Sequence, residues 1–291
     1  MTYLTKAAPA IFVLLWSTGF VGSKLGAPFI EPMVFLTIRF AAVLPVLILI
    51  GLALSTRWRL SARDIGHCIF AGMLVHGIYL GGVFWAIKQG MPAGASAIIV
   101  GLQPVLTALM AVTLLAETIA RRHWLSMAIG AAGLALVLGP KLDLTGTGIT
   151  PTTIAAVIAG VAAISFGTVY QKRYAQNLNL WAATVWQYVG ALAITLPLSA
   201  FESWQIVWSG DLIFAMAWLV LVLSVGAILL LMLLIREGIV SQVASLFYLV
   251  PVVTAVESYF LFGETLSLVQ IVGMVLVMSA VLTIRSSRRR V

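Results

Sequence analysis

From residue 7 to residue 284 the chain is a succession of ten apolar runs with little between them, at 7–25, 33–54, 65–87, 91–115, 124–140, 151–171, 181–201, 212–235, 239–262 and 266–284. Each is close to the roughly 20 residues that a helix needs to cross about 30 Å of hydrocarbon. Breakers and charges mark their ends: Pro28 and Pro32, Arg57 to Arg63, Gly90 and Pro92, Arg121 and Arg122, the stretch from Pro140 to Pro151, Lys172 and Arg173, Asp211, Arg236 to Gly238, and Glu264. Composition agrees: 62% of the residues are hydrophobic and 9% charged, against about 25% charged in soluble proteins. That is too little charge to cover a surface in water, and no segment remains for a soluble catalytic domain. Lys6 ahead of an apolar run could suggest a signal peptide, but the run is long and has a partner later in the chain.

The fold expected is therefore an all-α integral membrane protein of ten transmembrane helices, and the basic residues orient it. With the N-terminus inside, thirteen of the seventeen Lys and Arg fall on inner segments. Three (Lys24, Lys88 and Lys141) fall on outer segments, and Arg39 falls within a span. This bias predicts both termini in the cytoplasm. Arg288, Arg289 and Arg290 then anchor the C-terminus on the anionic inner leaflet. In such a chain a net charge of +8 reports topology, not nucleic-acid binding.

The chain also repeats itself. At a shift of 148, Ser17, Gly19, Val21 and Lys24 meet Ser165, Gly167, Val169 and Lys172. At the same shift Arg39-Phe40 meets Gln187-Tyr188, and Lys88 and Gly90 meet Arg236 and Gly238. At 147, Pro104, Val105, Thr107, Ala108, Glu117 and Thr118 meet Pro251, Val252, Thr254, Ala255, Glu264 and Thr265. This divides the chain into 1–143 and 144–291, five spans each. Because five is odd, the halves enter the membrane from opposite sides. Such an inverted repeat lets a central site face each side in turn.

The matched segments carry a family resemblance. Leu14 to Lys24, reading Leu-Leu-Trp-Ser-Thr-Gly-Phe-Val-Gly-Ser-Lys, is similar to the opening helix of the drug/metabolite transporter superfamily in its ten-helix EamA-type branch. Pro104 to Glu117 and Pro251 to Glu264 resemble that branch's fourth and ninth helices, each ending in an acid, and Gln270 and Gly273 fit as well. The first half departs from the pattern, with His123 and Ser126 in their places, which weakens one helix contact. Within the branch, the short length, the Trp-Ser-Thr-Gly-Phe start and the aromatic content are most similar to bacterial aromatic amino acid exporters. The resemblance implies a multi-pass protein of the inner (plasma) membrane that exports amino acids, aromatic ones among them, or related small metabolites by alternating access. It implies no enzymatic activity and no cofactor; the partners are a small-molecule solute, the lipid bilayer and, for coupling, protons. A multidrug or other metabolite exporter of the same fold is the alternative, with an intramembrane enzyme behind it.

Several residues could form the site. Trp16 and Phe20 share a helix face with Ser17 beside them, and Ser165 and Tyr170 stand in the second half. Packing or an interfacial aromatic belt explains them; so does a cavity wall. His76 and Tyr79, three apart, share one face of the third span. They either bond a neighbouring helix or line the cavity, since polar groups in lipid turn inward. Arg39 and Glu257 are charges inside spans, which cost about 2.5–3.5 kcal/mol each at mid-bilayer unless they snorkel to the outer interface. An amino acid's carboxylate would find Arg39, Gln187, Ser17 and Ser165 as donors, and an aromatic ring would find Trp16, Tyr79 and Tyr248. Gln103, Gln242, Ser224 and Trp186 are further polar candidates. Glu257 is the coupling candidate, loading and releasing a proton; as a partner of Arg39 it would instead be structural. The cavity is expected among spans 1, 3, 4, 6, 8 and 9.

Other chemistries find little support. One cysteine, Cys68, and three scattered histidines match no metal spacing. There is no phosphate loop, HExxH or GxSxG, so a gradient and not ATP would drive transport. Glu117 and Glu264 lie on opposite membrane sides in this topology and form no catalytic pair. Nothing reads as an ion filter.

Overall fold

A computed structural model describes residues 3–91, 96, 99–139, 148–237, 240–262 and 266–286. Pro92, Lys141, Glu264 and Arg288 to Arg290, and the side chains of Phe20, Lys24 and Gln242, lie outside what is described. The described residues are helical rods joined by short turns, without a strand.

In the first half these are α1 (Tyr3–Gly26), α2 (Pro32–Ala53), α3 (Ala62–Lys88), α4 (Gln103–Leu115) and α5 (Arg121–Leu138). The second half has α6 (Pro151–Tyr174), α7 (Leu180–Ser199) and α8 (Gly210–Glu237). Then α9 runs through Val240–Ser245, a 3-10 turn at Leu246–Tyr248 and Leu249–Phe262, and α10 is Leu268–Ser286. Five of these, α2, α3, α6, α7 and α8, are long and apolar enough to cross a membrane. Leu49, Leu52, Leu125, Phe214, Leu221 and Leu282 are exposed around the outside, as suits a surface whose solvent is hydrocarbon.

Local chemistry sets the ends. Proline occupies the first turn of α2, α4 and α6, where its missing N–H costs nothing and its fixed φ suits the helix. Thr150 and Thr153 cap α6 reciprocally, while Asn179, Ser209 and Ser61 cap α7, α8 and α3 with a side-chain oxygen on backbone N–H groups. Glu202 caps α2 from the loop after α7, accepting from the amides of Met33 (2.7 Å) and Val34 (3.0 Å). Burial pushes this carboxyl up from its ordinary value, while the two amides and Lys88 pull the other way. Beside it Lys88 pairs with Glu31 at 2.8 Å.

Two helices are interrupted. α3 widens into π-helix over Met73–Ile78 and α8 over Leu219–Ala227. Their positions correspond at the shift of 148. The packing follows the same correspondence. α2 packs on α7, α5 on α10 and α4 on α9, each on its own counterpart. α1 packs on α8 and α9 as α6 packs on α3 and α4, and α2 packs on α8 as α7 packs on α3. Close approach makes this possible: a Cβ on Gly72 would run into the carbonyl of Gln187, and one on Gly190 into that of Ile69. In the α5–α10 pair, Gly133 and Gly273 each face the other's carbonyl, and Gln270 Nε2 donates to Val137 O at 3.0 Å.

Candidate functional site

A cavity between the two halves encloses roughly 700 Å³ not filled by atoms, including the part open to the outside. Trp16 and Gly19 of α1 and Arg39 and Phe40 of α2 form one wall. Opposite them, α3 presents Val75, His76, Tyr79, Leu80, Val83, Phe84 and Ile87. Tyr188 of α7 and Leu223 and Ile228 of α8 close it. The α3 residues recur at helical spacing, so the cavity climbs from the π segment at mid-helix toward the end that carries Lys88. Gly19 lets α8 close against α1 at the cavity wall, because a Cβ there would meet the Leu223 side chain at 2.5 Å.

The lining falls on α1, α2, α3, α7 and α8. Of the spans expected to line the site, 1, 3 and 8 contribute to this lining. Spans 2 and 7 stand among the described lining where 4, 6 and 9 were expected. The physical reason is that the latter are engaged behind the wall. Ser165 of α6 reaches the Gln103 carbonyl of α4 at 3.4 Å, and Ser17 of α1 reaches Glu257 Oε1 of α9 at 2.6 Å.

At the base of the cavity, polar groups of the two halves cross over. Arg39 Nε donates to Ser224 Oγ at 3.0 Å, and the Gln187 carboxamide approaches the His76 ring. Arg39 and Gln187 are repeat counterparts, and so are His76 and Ser224, so the second pair is the image of the first. Tyr188 ties the pairs together. Its ring stacks on His76 at 4.9 Å and 10°, and its hydroxyl donates to Ser224 O at 2.8 Å. Phe40, the counterpart of Tyr188, lies 5.6 Å from its ring and 5.8 Å from the Arg39 guanidinium carbon. His76 Nε2 and Gln187 Nε2 are buried without a partner, an open hydrogen-bonding demand next to the cavity.

The other candidates fall elsewhere. Ser17 and Glu257 form a separate pair on the α1–α9 seam, and Glu257 Oε2 is buried without a partner. Arg39 and Glu257 are not paired with each other. Trp16 separates that seam from the cavity, packing against Phe12 and Phe247 at 5.2 Å each. Tyr248 stands in the core between α9 and α5, its hydroxyl on Met127 O at 3.2 Å and its ring against Gly130. Gln103 is fully buried with both side-chain polar atoms unpartnered. Trp186 packs with the aliphatic core around α2 and α7. Sequence reasoning did not name Phe40, Phe84 or Tyr188 as lining. The alignment of Arg39-Phe40 with Gln187-Tyr188 was the available signal for two of them, because a position placed at the centre by the repeat takes its neighbour with it.

Comparison with known proteins gives consistent matches along the whole chain. The model of the EamA-like transporter family matches residues 8–139 and again 151–286. The uncharacterized transporter YvbV of Bacillus subtilis is 24% identical over 96% of this chain and 91% of its own length. The uncharacterized inner membrane transporter YedA of Escherichia coli is 26% identical over 94% and 88%. A probable amino-acid metabolite efflux pump of Salmonella typhimurium is 24% identical over 92% and 90%. One crystal structure superposes with a TM-score of 0.82 at 20% identity, covering 97% of this chain and 96% of that one, a likeness of fold.

Proposed function

The chain belongs to the EamA-like transporter family, and from that premise we propose that it is a multi-pass inner-membrane secondary transporter moving amino acids, aromatic ones among them, or related small metabolites by alternating access. In this reading ten spans form two inverted repeats, 1–143 and 144–291, with both termini in the cytoplasm. The observation that carries it is the cavity between the halves: one guanidinium, Arg39, set among the rings of Trp16, Phe40, Tyr79, Phe84 and Tyr188. A carboxylate meets a rigid fork of donors there, and a flat apolar side chain meets flat walls. The names of the Escherichia coli and Salmonella relatives, an inner membrane transporter and an amino-acid metabolite efflux pump, support the same direction.

With the N-terminus inside, the Lys88 end of α3 is the outer end, and the cavity is then open outward. In the strip Val83, Phe84 and Ile87, the last two are part-exposed, whereas all three counterparts on α8, Leu231, Met232 and Ile235, are buried. Closing one strip and opening the other is the exchange that alternating access requires.

Glu257 is the place for a coupling proton. Ser17 Oγ stands 2.7 Å from Leu14 O and 2.6 Å from Glu257 Oε1. A hydroxyl has one proton to give, so a proton carried by Glu257 would satisfy the second contact. Counterflow of labelled amino acids in proteoliposomes tests the function. Saturable, solute-specific exchange is expected, and its absence for every amino acid and related metabolite in the panel would remove this reading.

A further inference from the structure

Among its described lining residues the cavity holds one charge of fixed sign and no opposite charge. Arg39 is 5% exposed, and Nε is committed to the neutral Ser224 hydroxyl. No described carboxylate forms an ion pair with it. Three described acids have other partners: Glu31 pairs with Lys88, Glu202 accepts from the amides of Met33 and Val34, and Glu257 accepts from Ser17. The terminal guanidinium nitrogens make no bond to a described residue. The remaining lining is aromatic or aliphatic apart from His76 and the tyrosine hydroxyls. An unpaired cation among apolar walls carries a desolvation cost that an entering anion relieves.

From this we infer that the site selects an organic anion by its carboxylate and provides no partner for an ammonium group, so that aromatic monocarboxylates lacking the amine bind at least as tightly as the matching zwitterionic amino acids. The inference rests on the transporter reading and narrows its solute. The carboxylate takes the free edge of the Arg39 fork, where two parallel N–H groups match its two oxygens. The ring lies between the aromatic walls at the height of Tyr79 and Phe84. An ammonium would share this low-dielectric space with the guanidinium: the rings that could hold a cation, those of Trp16, Phe40, Tyr79, Phe84 and Tyr188, line the same cavity as Arg39, whose charge repels it.

The test uses the full-length protein in lipid nanodiscs, with calorimetric binding of 3-phenylpropionate, phenylalanine and phenethylamine. The acid is expected to bind with an affinity equal to or above that of phenylalanine, and the amine at least tenfold more weakly. R39Q should weaken the acid by tenfold or more, R39K by less, and neither should improve the amine beyond parity with the acid. Ser224→Ala keeps the charge and should retain the order acid over amine even where R39Q does not fold. Phenylalanine binding tenfold tighter than the acid, or an acid affinity untouched by R39Q, would overturn the inference. Either result leaves the transporter reading standing if phenylalanine counterflow persists. Loss of counterflow with the acid still bound strikes the transporter reading instead.

Discussion

At the scale of single residues, cost made two polar positions legible, one beside the cavity and one on the α1–α9 seam. A charge inside an apolar run is expensive, and that alone singled out Arg39 and Glu257. Their partners could not be read the same way. Whether Arg39 meets Ser224 or Glu257 depends on how α2, α8 and α9 are rotated about their axes, which hydropathy does not encode. His76 and Tyr79 both line the cavity, because residues three apart on one helix share a face. Tyr248 looked equivalent by type but turned toward α5, where Gly130 makes room for its ring. Glu257 gives a direct prediction. Glu257→Gln removes the titratable proton and keeps an acceptor for Ser17, so proton-driven accumulation should fall at least tenfold while solute exchange continues. Accumulation at the wild-type level, measured as uptake under an imposed pH gradient, would assign Glu257 a structural role.

Elements were legible through their ends. Prolines, capping hydroxyls and basic clusters stand at helix boundaries for reasons of hydrogen bonding and solvation. The third helix starts at Ala62, before the apolar run at 65, because Ser61 caps it. The π segments had no sequence signal. They arise where a helix accommodates a neighbour, and no residue type requires one. The tight crossing of α3 with α7 was equally silent, since Gly72 and Gly190 resemble any other membrane glycine until their partners are known. Gly72→Ala should destabilise the protein by about 1–3 kcal/mol, the usual cost of overpacking, and lower the thermal midpoint in detergent. Gly66→Ala is the control. Nothing lies within 4 Å of the added methyl, and removing a glycine from α3 should leave stability unchanged or raise it by up to about 1 kcal/mol. Equal effects at the two positions would mean that the crossing is looser than described.

For the whole molecule, the repeat was the most informative sequence signal, because a nearly constant shift of 147–148 places pairs of residues on helices that then pack by the same rule. The repeat could not say which of the ten runs would face the cavity, because it fixes correspondence between halves and not their mutual rotation. Topology remains to be measured. Cysteines placed singly at Thr2 and Ser287 in a Cys68→Ser background should resist an impermeant thiol reagent in intact cells, and labelling at both would reverse the orientation. The inner route proposed above gives a second test. Thr184 Oγ1 lies 2.8 Å from Met232 Sδ, joining α7 to the buried strip of α8. Linking T184C to M232C in the same background should stop transport and leave ligand binding from the outer side intact; transport that survives the link would move the inner opening elsewhere. The crossed pairs at the base of the cavity have one more consequence. If the halves were identical, the two orientations would be the same conformation turned over by a two-fold rotation in the membrane plane, equal in free energy, and the resting protein would divide its time evenly between the two sides of the membrane. Every position where counterparts differ tilts that balance, and each 1.4 kcal/mol of difference shifts it about tenfold. Arg39 against Gln187, His76 against Ser224 and Phe84 against Met232 are such positions. Exchanging a counterpart pair, for example R39Q together with Q187R, should therefore change which face the empty protein shows without requiring any change in the path between the two states.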